Sequence, residues 1–296
     1  MRKWLVYLAV IGGLLRPAPA AAWGFAAHRL IMREAIKLLP AELKPLFEQQ
    51  RDEVVLRVVD PDLWRNVNWP EDPNHFLDFG VKEYGAYPFT DLPREYGAAL
   101  AKFGSTVLDR NGRLPWRLAE MTGHLRRSFE EFPRNAPYTI SNTILYAAVS
   151  AHYTQDAFQP FHATDNYDGA ATGQRGIHSR FERDLIERYA SRLVLKPAAF
   201  QPVTEPRDAA FDALLASFKL VDPILKADRE AAGGRDKYDD AYFENFFVKV
   251  KPILEERLSS AISMTAGVIA GAWAQAGRPA VRLNEARPTQ SIDRSR

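Results

Sequence analysis

The chain contains no cysteine. No disulfide is available to brace it and no thiolate to hold a metal. Any metal ligand must be a histidine, a carboxylate or a main-chain group, a donor set that suits zinc and related ions. Long apolar runs are also missing. The N-terminal stretch Leu5 to Leu15 is too short to cross a bilayer comfortably, and no later segment is uninterrupted over a spanning length, so stable membrane insertion is not expected. Nor is there an excess of one charge. The chain has 39 Lys and Arg against 37 Asp and Glu. Residues 1–22 hold Arg2, Lys3 and Arg16 and no acid, so the remainder has 36 basic and 37 acidic residues, a net charge of −1. A general polyanion-binding surface is excluded, and any affinity for phosphate must be local. Internal repeats and period-two strand patterns are absent too, which leaves an all-α class.

What is present at the N-terminus reads as an export signal. Arg2 and Lys3 form a positive start, the apolar run follows, and Ala20 and Ala22 fit the small-residue cleavage rule with a cut before Trp23. The expected product is exported, to a periplasm or to the outside of the cell, and begins at Trp23.

Residues 23–277 are expected to form one helical bundle with long loops contributing to a site, and residues 278–296 a flexible tail. HRLIMREAIKLL has apolar residues at helical spacing and is ended by Pro40. Ala41 to Gln50 reads as a second short helix and Val54 to Val59 as the end of another. Asp60 to Gly80, with three prolines, reads as a loop, and Lys82 to Leu92 as irregular. Further helices are expected from Pro93 to about Asp109, over Leu114–Phe132 after the Asn111-Gly112 turn, over the Ala-rich Ser141–Phe158, and over Ile177–Leu193 and Asp208–Leu225. A flexible break spans Arg229–Asp239. A long helix follows over Ala241–Ala276, interrupted near Pro252.

The chemistry concentrates in Ala151–Glu182, which holds three of the six histidines. His152 and Asp156 are four apart, as are His178 and Glu182, so each pair shares a helix face, with His162 between them just after Pro160. One such pair alone would read as a buried structural histidine. Two pairs with an intervening histidine read as a metal site. His28 and the loop residues Asp60, Asp62, Arg65, His75 and Asp78 add donors, while His124 reads as structural or solvent-facing. Five histidines with Asp62, Asp156 and Glu182 exceed what one tetrahedral ion needs and fit two or three. Closely spaced ions suit attack on a phosphate ester by metal-activated hydroxide.

The runs HYTQDAFQPFH and HSRFE, with WGFAAH and NHFLD in order before them, resemble the zinc-dependent phospholipase C and single-strand-specific nuclease superfamily. The resemblance spans Trp23 to Glu182 and implies an all-α fold with three Zn2+ ions in a cleft. Asp62, His75, His152 and Asp156 would hold one ion, and His162, His178 and Glu182 a second. Trp23, through its amine and carbonyl, would hold the third with His28 and a bridging Asp156. Asp60 and Asp62 compete for the loop position. Asp62 is preferred because Asp62-Leu63-Trp64-Arg65 resembles the nuclease pattern of an aspartate followed by a phosphate-contacting arginine.

The two branches differ in substrate. The five-residue step from Trp23 to His28 and the presence of Arg65 favour a nuclease or nucleotidase acting on single-stranded nucleic acid. In that reading Asp62 is base or orienter, Arg65 contacts phosphate, and Phe76 and Asp78 stack and hydrogen-bond a base. Glu182 and the missing cysteine resemble the phospholipases, whose substrate would be a phospholipid head group. A third reading is a non-catalytic zinc-binding export protein.

Overall fold

A computed structural model describes residues 23–67, 69–234 and 238–286. The expected signal segment and cleavage motif lie outside the described residues. The described chain is a single all-α domain. Its helices are α1 Phe25–Leu38, α2 Lys44–Gln49, α3 Arg51–Arg57, α4 Asp60–Arg65, α5 Tyr96–Asn111, α6 Leu114–Glu130, α7 Thr139–Asp156, α8 Ile177–Ser179, α9 Leu185–Tyr189, α10 Pro206–Phe218, α11 Val221–Ala232 and α12 Asp240–Gln275. Among the described residues the only extended pairing is a parallel bridge between Phe79 and Thr164, and no helix is long and apolar enough to cross a membrane.

The middle of the bundle is α7. Every residue from Ala147 to Asp156 is buried, with α1, α3, α4, α6 and α12 packed around it. Ala147, Ala148 and Ala151 allow that approach, because small side chains let neighbouring helices close in from several directions. The helix stops where Pro160 cannot continue it. Gln159 turns the chain, its side-chain oxygen accepting from Phe161 N at 2.6 Å, and the tight turn Pro160–His162 sets His162 just beyond the helix end.

Several boundaries differ from the sequence reading. Asp60–Arg65 is helical, because Pro61 is pre-organised for a first turn and Asp60 and Asp62 favour the positive end of a helix. Ile177–Leu193 is not one helix: a π turn at Arg180–Asp184 separates α8 from α9, and a further tight turn follows at Ala190–Arg192. The expected Asp208–Leu225 helix divides at Lys219-Leu220, where Pro223 starts a new first turn, and α11 then runs on to Ala232. Conversely, α12 runs unbroken through Pro252. That residue and Val248 lie on the exposed face, where water can take the carbonyl deprived of its donor. On its other side Gly271 lets the extended 194–203 segment cross closely, since a Cβ there would collide with the Val203 carbonyl.

The segment expected to be a flexible tail is held through Ala286. Trp273 Nε1 donates to the Pro279 carbonyl at 2.9 Å, and Arg282 donates to the carbonyls of Phe132 (3.2 Å) and Ala136 (2.7 Å). Glu285 accepts from Ile140 N at 2.9 Å and Ser141 N at 3.4 Å. It thus covers first-turn amides of α7 with a carboxylate, where the helix favours negative charge. The contacts of Arg282 and Glu285 are long-range, which composition does not encode.

Candidate metal centre

The loop that carries His75 is stapled on both sides. Arg113 N donates to the Pro73 carbonyl (2.5 Å), Asp78 N to Asn111 O (2.7 Å) and Leu114 N to Phe76 O (3.2 Å). Gly112, at φ +94°, makes this approach feasible, because a side chain there would meet the Phe76 carbonyl. On the opposite side Leu77 N donates to His162 O (2.9 Å) and Phe79 N to Ala163 O (3.2 Å). Burial alternates along the loop: His75, Leu77 and Phe79 are buried, while Phe76 and Asp78 are half-buried on a cleft wall.

This framework converges with α1, α4 and α7 on one point. His28 (α1), Asp62 (α4), His75, and His152 and Asp156 (α7) are all at most 5 % exposed. The donor atoms of His28, His152 and Asp156 lie within 4.8 Å of one another, as do those of Asp62, His75 and His152. A third group, His162, His178 and Glu182, meets the same criterion next to them. Asp156 links the first two groups: its Oδ1 is 3.4 Å from His28 Nε2, and its Oδ2 is 3.1 Å from His75 Nδ1 and 3.2 Å from His152 Nε2. Asp62 Oδ1 lies 3.8 Å from His75 Nδ1 and 3.9 Å from His152 Nε2. Asp60 is turned toward Arg57, at 3.6 Å, so of the two aspartates the carboxylate among the histidines is that of Asp62.

The outer nitrogens decide what the inner ones can do. His152 Nδ1 faces the Val58 carbonyl at 2.8 Å, His162 Nδ1 the His75 carbonyl at 2.7 Å, and His28 Nδ1 the Gln155 side-chain oxygen at 2.6 Å. Each acceptor fixes the proton on Nδ1 and leaves a lone pair on Nε2. These lone pairs then face other ring nitrogens: His152 Nε2 is 3.0 Å from His75 Nδ1, and His162 Nε2 is 3.2 Å from His178 Nε2. Two ligand nitrogens about 2.0 Å from a tetrahedral ion stand about 3.3 Å apart, so these separations fit a shared cation. His28 Nε2, both oxygens of Asp62 and Asp156 Oδ1 are buried without a hydrogen-bond partner. The donors thus fit divalent ions, and several buried histidine and carboxylate groups of this chain can hold them.

The charge balance points the same way. Burial pushes His152 down, but Asp156 and Asp62 outweigh it and raise its pKa to about 9. With protein atoms alone, the two carboxylates draw a proton onto an imidazole whose burial opposes it. Burial would raise Asp156, yet His152 and His162 hold it well below the usual carboxylate range. In the third group burial raises Glu182 and drives His162 well below an ordinary histidine. His178 is raised, because its pair with Glu182 at 2.9 Å outweighs its burial.

The remaining expected site residues take separate places. Arg65, with Asp72 as a partner and Asp62 Oδ1 3.7 Å from its Nη1, joins Phe76 and Asp78 on the wall of a cleft of about 300 Å³ that opens onto His75, His162 and His178. Asp78 is pushed well above the usual carboxylate range by burial and by Asp165. Trp23 is fully buried and engages by its indole, which donates to the Gln155 carbonyl at 2.8 Å, one residue before Asp156. It adds no side-chain donor to the three groups. His124 stays outside them, stacked on Tyr146 with ring centroids 5.0 Å apart.

Sequence reading missed the supporting residues. Gln155 orients His28, and Gln159 Nε2 donates to Glu182 at 2.8 Å. Both glutamines lie inside the run that carries the histidines, at positions that a search for metal donors passes over. Tyr167, from the Gly- and Asp-rich loop, lines the cleft with its ring 6.4 Å from His178. No protein-family model and no curated protein matches the chain.

Proposed function

We propose that the protein is an exported zinc-dependent phosphodiesterase that holds three Zn2+ ions and hydrolyses single-stranded nucleic acid or nucleotides. This is the reading implied by its resemblance to the zinc-dependent phospholipase C and nuclease superfamily. The observation that carries it is the convergence of buried, unpartnered histidine and carboxylate atoms beneath a cleft whose wall bears Arg65, Phe76 and Asp78. Bound ions supply Lewis acidity toward a phosphoryl oxygen and lower the pKa of water.

The chain's own residues account for the rest. Arg65 presents a guanidinium that can pair bidentately with a phosphate, and its contacts with Asp72 and Asp62 set its direction. Phe76 offers a ring face to a base, and Asp78, whose carboxyl is pushed well above the usual range by burial and Asp165, can hydrogen-bond a base edge. Asp62 touches both Arg65 and the histidines, so it can orient a water between phosphate and metal site. The test is a substrate panel on the zinc-loaded mature chain. Hydrolysis of single-stranded DNA or RNA, abolished by chelator, is expected; no cleavage of any nucleic acid or nucleotide would end the nuclease reading.

A phospholipase reading draws on a different observation. Leu63, Val67 and Trp69 are exposed on and just after α4, the helix that carries Asp62 and Arg65, which would suit contact with a lipid surface. Turnover of phosphatidylcholine micelles with nucleic acid untouched would select it. Three bound zinc ions with no turnover of either substrate would select a non-catalytic zinc-binding protein.

A further inference from the structure

The outward nitrogens of His28, His152 and His162 each face a neutral oxygen, whereas that of His75 does not. Its Nδ1 faces Asp62, His152 and Asp156, while its Nε2 is buried without a hydrogen-bond partner. The nearest acidic oxygen on that side is Glu71 Oε1, 4.0 Å away. Glu71 is 4 % exposed and belongs to none of the three donor groups. A carboxylate buried this deeply is costly unless something holds it. Tyr153 Oη donates to Glu71 Oε1, and Arg117 Nη2 lies 3.8 Å from Oε2. Arg117 in turn lies 5.7 Å from the centroid of the Tyr153 ring, and its Nε is 3.4 Å from the Tyr153 oxygen. Tyr153 directly follows His152, so α7 carries one ligand and, on the next residue, the group that fixes this carboxylate.

From these contacts we infer that Glu71 is a positioning residue for the Asp62–His75–His152 group. At 4.0 Å its charge faces a proton on His75 Nε2 without a direct hydrogen bond, so it favours the tautomer that offers Nδ1 and makes His75 a stronger donor than the histidines backed by neutral oxygens. Glu71 acts from outside the cleft. It lines a separate hollow of about 620 Å³ with Asn74, Trp116 and Arg117, so it reaches the metal centre from behind His75, away from Arg65, Phe76 and Asp78. A carboxylate serving only as counterion to Arg117 would need neither this proximity to His75 nor the bond from Tyr153. Arg117 already has Glu120, at 2.9 Å.

The inference rests on the reading of the three groups as a zinc centre, and its test separates the two. Zinc retention by the mature chain is titrated against a competing chelator for the wild type, Glu71→Gln, Glu71→Ala and Tyr153→Phe, with the melting temperature of each metal-free form recorded alongside. Glu71→Gln keeps the shape and can still accept from Tyr153, so it is expected to fold. One ion should then be lost about 10–100-fold more readily while the others hold their wild-type affinity. Glu71→Ala should affect the same ion more, and Tyr153→Phe the same ion less. Unchanged retention in Glu71→Gln, or an equal weakening of all ions accompanied by a lower metal-free melting temperature, overturns the positioning role and leaves the zinc centre standing. A wild type that binds no zinc overturns both.

Discussion

Two buried polar clusters sit two residues apart on the same π turn, and they are built on opposite terms. Around Arg180 every group is answered by the protein itself. Its Nε donates to Tyr242 Oη (2.9 Å), its Nη1 to the Arg175 carbonyl (2.8 Å) and its Nη2 to Asp228 Oδ1 (3.1 Å). Asp228 also accepts from Gln174 Nε2 at 2.6 Å and from Tyr242, and Arg229 donates to Gln174 Oε1 at 2.7 Å. None of these atoms is left without a partner. Around Glu182, His162 and the Asp156 cluster, ring nitrogens face ring nitrogens, and oxygens of two buried carboxylates, Asp62 and Asp156, have no donor. The first cluster is complete as a set of side chains; the second leaves open acceptor atoms that cations could fill. Burial alone would not tell them apart, since both are nearly sealed from solvent. The separation comes from counting donors against acceptors. The widened turn lets one short stretch serve both, aiming Arg180 at the closed network and Glu182 at His162 and His178.

This contrast can be broken by experiment. The largest expected effect is metal removal. With free zinc at about 100 times its dissociation constant, each ion adds about 2.7 kcal/mol, so stripping three should cost roughly 8 kcal/mol together with all hydrolysis. Calorimetry with and without chelator reads this, and a melting temperature indifferent to chelator would mean that the second cluster is as self-sufficient as the first. Next is Asp228→Ala, which leaves Arg180 buried without its carboxylate and should cost about 3–5 kcal/mol. In denaturant titrations that loss should be the same whether zinc is present or absent; a loss rescued by zinc would merge the two clusters. His162→Ala should remove one ion, leave those held around Asp156, and lower the zinc-dependent stability by about 2.7 kcal/mol, checked by metal analysis and melting of the same sample.

The smallest effect concerns Asp78. Its native pKa is raised above that of the unfolded chain, so its contribution is full below the unfolded value near 3.8 and is lost as pH rises through the native one. Asp78→Asn should flatten that stretch of the stability profile and leave zinc content unchanged. A wild-type melting curve that does not fall relative to the variant over this rise would contradict it.

The ligands legible in the sequence are those whose geometry is local. His152 with Asp156 and His178 with Glu182 follow from helical spacing, and the pairs remain at 3.2 and 2.9 Å even though the second helix widens at the π turn. The Asn111-Gly112 turn, the stop before Pro160 and the all-α class were legible for the same reason. What escaped depends on partners far along the chain. Glu71 reads as a loop acid until Tyr153, 82 residues on, donates to it. The segment after Gly277 reads as a tail until Glu285 reaches the start of α7. The α4 helix was hidden by proline and aspartate, which mark loops in general but also mark first turns.

The alternation along His75–Phe79 has a consequence for how such a protein can change. Side chains 75, 77 and 79 are buried among the donor groups and the core, whereas 76 and 78 are half-buried on the cleft wall. The backbone between them is pinned from both flanks. Under the proposed reading, substitution at 76 or 78 would therefore reshape the cleft wall while the three donor groups stay in place, so recognition and metal binding could vary independently along one short segment.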